Sequence, residues 1–150
     1  MISFTNYGEN KFIDALFRGQ SLGAPAIWYL GLATAAPTEA GVVVEPVGGW
    51  YARQPIDADL DAWAGTQGAG TTTVSSGSSG TTSNNQEIHY PNPTSSGQQV
   101  SHWFLASALT GGNVWLYAEI TDASGTPIII TLNAGQLLFF DAGELRITAP

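Results

Sequence analysis

The chain has 150 residues, no cysteine, four basic and twelve acidic residues, and a formal charge of −8 at pH 7. Disulfides, thiolate metal sites and thiol nucleophiles are excluded, and Lys11, Arg18, Arg53 and Arg146 are too few to track a phosphate backbone, so nucleic acid is not an expected partner. The length suits one domain over 1–150, able to bury about two-thirds of its unfolded surface, and with only 11% charged residues that surface must be largely Ser, Thr, Gly, Asn and Gln, which suits a secreted, virion or assembly-buried protein.

The opening Met1–Asn6 lacks the basic segment and apolar run of a signal peptide, and no run of 18 uncharged apolar residues predicts a membrane span. A helix is predicted over about residues 6–18. Asn6 and Glu9 have capping-box spacing, Phe12, Ile13, Leu16 and Phe17 form one apolar face, Arg18 complements the last turn, and Gly19 supplies the stop. That face is expected to lid a β-sheet.

Residues 26–34 are apolar on both alternating faces and predict a strand covered on both sides, by a second sheet and by the helix or a neighbouring subunit. Val42–Val44 and Trp50–Gln54 predict short edge strands stopped by Pro46 and Pro55. About residues 66–87 are rich in Ser, Thr and Gly and read as a loop or arm, ordered by a partner, mobile, or folded as a flat hairpin. The last third alternates strands and turns: 100–109, Thr110-Gly111-Gly112, 113–121, then 128–132, 136–140 and 144–148. This order predicts a mainly β fold, an antiparallel two-sheet sandwich of jelly-roll type with one N-terminal helix.

Chemistry-bearing patterns are sparse. Gly19-Gln20-Ser21-Leu22-Gly23 satisfies G-x-S-x-G, but it follows a helix and precedes a strand, the reverse of a nucleophile elbow. Asp57, Asp59 and Asp61 alternate and would share a face suited to Ca²⁺ if extended; with Ala62 and Gly68 at the required Gly and Glu positions the EF-hand pattern fails, and solvated loop carboxylates are the favoured reading. His89 and His102 lack close-spaced fellow ligands. Asp141 and Glu144 straddle a turn and read as hairpin residues rather than paired glycosidase acids. No catalytic residue, cofactor or metal is expected.

Asp14–Gly19, Ile27–Thr38, Gly48–Arg53, Trp63–Gln67, Ser83–Asn85, His102–Phe104 and Gly111–Asn113, in this order, resemble a family of tailed-bacteriophage structural proteins, labelled either tail fibre or head decoration (cement) proteins. The sequence departs from that family's pattern at Trp50, where a smaller residue is expected, and over His102–Ser107, where an aspartate is. The resemblance implies a virion β-sandwich made in the bacterial host cytoplasm, often trimeric, that binds the major capsid protein on the capsid surface. The alternative is a tail fibre or tail-tip component binding host glycan or a tail neighbour. Phe12, Phe17, Trp50, Tyr51, Trp63 and Asn84 are the expected partner contacts.

Overall fold

A computed structural model describes residues 2–149. Its first elements are strand β1 (Ile2–Phe4) and helix α1 (Asn6–Phe17). The helix is capped by Thr5, whose Oγ1 accepts from Gly8 N at 3.3 Å and donates to the Val114 carbonyl at 2.5 Å. Asn6, expected as the cap, is instead the first helical residue, because the hydroxyl one position earlier also reaches a strand carbonyl. Arg18 occupies the C-cap, 3.3 Å from Asp14, and Gly19 follows with φ 67°, the left-handed stop the sequence calls for. Thr5→Ala should cost about 1–2 kcal/mol, since both the cap and a buried strand contact go, and urea unfolding reads the loss directly.

The remaining elements are strands: β2 (Ile27–Ala33), β3 (Gln54–Asp57), β4 (Thr81–Ser83), β5 (Ile88–Tyr90), β6 (Gln98–Val100), β7 (His102–Ala106), β8 (Val114–Glu119), β9 (Ile130–Leu132), β10 (Leu138–Phe140) and β11 (Arg146–Thr148). One layer is a five-stranded antiparallel sheet ordered β1-β8-β7-β2-β3. The other consists of three antiparallel ribbons, β5/β10, β4/β11 and β6/β9. The fold is therefore mainly β with one helix; these pairings leave the jelly-roll connection without support, since a jelly roll divides eight strands between two sheets. The chain changes layers at Ser101, where β6 ends against β9 and β7 begins against β2.

Between the layers lies the main core. Leu30, Leu32, Trp103, Leu105 and Leu116 come from the sheet, and Ile88, Tyr90, Val100, Leu132, Leu138 and Phe140 from the ribbons. The opposite face of β2 is covered as the sequence requires, but by neither a second sheet nor the helix. Phe104 lies over Gly31, its register partner, and Val43 packs against Ala33, Phe104, Ala106 and Val114.

Two expected strands shift. Val42–Val44 forms no strand; Thr34 N donates to Val44 O and Thr38 N to Val42 O, which ties the segment down as a loop with Val42 and Val44 exposed. The strand expected at 50–54 starts at Gln54 and runs through Pro55, which is tolerated because β3 is the edge of the sheet. Over 66–80 the chain has no regular element. Its Ser, Thr and Gln side chains bond back onto it instead, Gln67 Nε2 to Val74 O at 2.7 Å and Ser79 Oγ to Thr66 O at 2.8 Å. The rest of the Ser/Thr-rich segment supplies β4 and pairs with β11.

Candidate functional site: an apolar helix face beside an apolar cavity

Helix α1 packs onto the sheet through the side opposite to expectation. Gly8 is its buried residue, and a Cβ there would overlap the Trp115 carbonyl oxygen. Tyr7 meets the Trp115 ring edge-on, with centroids 5.3 Å apart. The apolar face predicted to lid the sheet points outward: Phe12 is 40% exposed, Ile13 51%, Leu16 68% and Phe17 81%. At 100° per residue these four span about 140° of the helix circumference. The backbone contact at Gly8 explains the reversal. With no side chain there, the helix approaches β8 closely along that line, and its larger residues are left on the outer side.

Beside Phe12 opens a cavity of about 470 Å³, lined mainly by apolar groups including Phe4, Leu22, Trp28, Leu60, Trp63 and Trp115. Phe4 and Phe12 meet edge-on at 5.0 Å and Trp28 and Trp115 at 5.3 Å, so its walls are interlocked aromatic rings. The indole N–H groups of Trp63 and Trp115 have no hydrogen-bond partner. Asp59 stands among the lining residues, and its Oδ1 accepts from Asp61 N and Ala62 N at 3.0 and 2.8 Å.

The expected contact residues divide. Phe12 and Trp63 share this cavity, and Phe17 is the most exposed residue of the helix face. Trp50 is buried in the main core, edge-on to Tyr51 with centroids 5.7 Å apart. Tyr51 donates to Glu45 Oε1 at 2.6 Å and accepts from Leu32 N at 3.0 Å; burial first, then that carboxylate, push its phenol pKa well up. Asn84 forms an isolated bridge with Trp63 and is only 1% exposed. Its amide donates to Gln86 O and Asp141 O, both at 2.8 Å, and accepts from Leu145 N at 2.9 Å. Trp50 and Asn84 are thus committed to the chain's own interior and have almost no surface to offer a partner. Trp28 and Trp115 are not among the expected contacts, and nothing in their local pattern marks them as cavity walls.

Other patterned residues are spent locally. Asp57, Asp59 and Asp61 do not share a strand face: Asp57 ends β3 while Asp59 and Asp61 sit in the following turn. All three border a second cavity of about 490 Å³ with Asn84, Glu87 and His89, and Glu87 is paired with His89. Among the described residues no group of three or more His, Asp and Glu is arranged to hold a metal ion. Ser21 Oγ accepts from Gly23 N at 3.2 Å in an exposed loop, and Glu144 Oε2 accepts from Asp141 N at 2.8 Å across its turn. His102 Nδ1 lies 2.8 Å from Ser101 Oγ, and burial lowers its pKa while Glu119 across the strand pair opposes that shift. No helix among the described residues is long and apolar enough to cross a membrane.

Among curated proteins none matches the chain. The family described as "Podophage GP4 fiber I protein gp80" matches residues 3–148, nearly the entire length. The chain belongs to this family of bacteriophage structural proteins.

Proposed function

We propose that the chain is a fibre-type subunit of the virion that works by binding, as a homotrimer, with no bond made or broken. The observation that carries this reading is the outward-facing Phe12, Ile13, Leu16 and Phe17, a contiguous apolar surface of the kind that marks a protein interface. The accessible surface supports it: 8127 Å², against roughly 7,300 Å² for a compact monomer of this mass. The family name supports the fibre assignment, since it describes a fiber protein.

A second reading, a capsid cement protein bound to the major capsid protein, is favoured by the charge. A chain at −8 is drawn to a basic shell. Glycan binding through exposed aromatic platforms has less support, because Trp50 is buried and Tyr51 and Trp63 pack against the core.

Quantitative mass spectrometry of purified virions tests these assignments. A fibre subunit is expected at up to about a few dozen copies per particle, in multiples of three. On the order of hundreds, at a fixed ratio to the major capsid protein, would replace the fibre reading with the cement reading. Absence from washed particles would overturn both.

A further inference from the structure

We infer that the apolar cavity beside α1 receives the Leu16–Phe17 end of the same helix from a second copy of the chain, in a head-to-tail contact. The inference rests on the homo-oligomeric reading above and names the surfaces that make it.

Charge selects a second copy as the occupant. Two chains at −8 repel over most of their surfaces, but α1 with its cap is neutral, since Lys11 and Arg18 cancel Glu9 and Asp14. The apolar face thus lies on the segment where like chains meet without penalty. The cavity supplies the complement. Asp59 is the one charged residue among its lining, and the cation next to the knob is Arg18, whose own partner is the exposed Asp14 at 3.3 Å.

Area and volume agree. With ordinary side-chain areas Ile13, Leu16 and Phe17, the members of the face outside the cavity wall, offer on the order of 350 Å² of apolar surface. One side of a standard interface covers about 800 Å², a little over half of it apolar. A cavity of about 470 Å³ has room for more than one apolar side chain. The knob and the cavity are different surfaces of one chain, so the contact is heterologous, and it closes into a ring when the rotation between copies permits.

The test uses the full chain and two variants. Phe17→Asp removes the knob and keeps the cavity. Leu60→Arg blocks the cavity and keeps the knob; Leu60 is itself well exposed, so both variants should retain the native circular dichroism and melting temperature. By sedimentation equilibrium each variant alone is expected to be monomeric, with a dissociation constant raised at least about 30-fold. Mixing the two should restore a single contact and give a dimer that goes no further. Tryptophan emission should shift to the blue on mixing, as Trp28 and Trp63 lose water.

Oligomers that persist in Phe17→Asp would overturn this contact while leaving the homo-oligomeric reading in place. A wild-type chain that stays monomeric yet is found in virions would overturn the contact and leave the virion assignment standing. Variants that are monomeric alone and silent on mixing would also overturn it.

Discussion

Replacing Arg53 by methionine is expected to destabilise the fold by about 3 kcal/mol, lowering the melting temperature by about 6–12 °C at this chain length. Arg53 is the one buried cation among the described residues, 5% exposed. Its Nε and Nη2 bind the two oxygens of Glu45 at 3.0 and 2.8 Å, and Nη1 donates to Ala108 O and Gly111 O at 2.8 and 2.7 Å. Its guanidinium also lies 5.0 Å from the centre of the Phe104 ring. Methionine keeps most of the apolar stem but leaves the Glu45 carboxylate with Tyr51 as its donor and the Ala108 and Gly111 carbonyls without the one they had. The cost falls at the lower end of the range for broken buried pairs because Glu45 remains about a quarter exposed. Arg53→Lys should lose roughly half as much, since an ammonium cannot serve the fork and both carbonyls together. Differential scanning calorimetry of the three proteins checks the ranking; a lysine variant as stable as the wild type would show that the fork geometry contributes little.

Gly31→Ala is expected to cost about 3 kcal/mol or more, although alanine suits a strand better than glycine does. A Cβ at Gly31 would overlap the Phe104 ring, which is fully buried with Arg53 over it and has nowhere to go. Phe104→Leu removes the ring atoms that block the site, so the double variant should be more stable than the sum of the singles by more than about 1 kcal/mol. Guanidinium unfolding of the four proteins completes the cycle. Additive losses would mean that the ring and the glycine do not share that space.

Gly31 and Asn84 show what the sequence hides. Gly31 reads as one residue in an apolar run, and the partner that forbids a side chain there is 73 positions away, opposite it only through the β2–β7 register. Asn84 reads as a loop residue, but its bonds to Asp141 and Leu145 make it a buried tie between ribbons. Tight local signals were legible. Alternation around Thr110-Gly111-Gly112 located the β7–β8 pair, and the spacing of Phe12, Ile13, Leu16 and Phe17 located the helix and its apolar face. Periodicity reports that an apolar face exists, not what covers it. The close approach at Gly8 turned that face away from the sheet, so the candidate site came from reading a core signal on the outside of the molecule. Val42–Val44 failed for the converse reason: β propensity was outweighed by hydrogen bonds from Thr34 and Thr38 that hold a loop.

The pairing of β1 with β8 has a consequence for biosynthesis. Ile2 lies opposite Ala118 and Phe4 opposite Leu116, so the earliest of these strands to leave the ribosome has no place to dock until the eighth has been made. At about 5–20 residues per second that interval lasts several seconds. Throughout it the greasy helix that follows β1 trails free, and only the synthesis of β8 gives it an anchor. A nascent chain with this topology carries apolar surface of the kind that holding chaperones bind, and its first strand waits on the ribosome before it can pair.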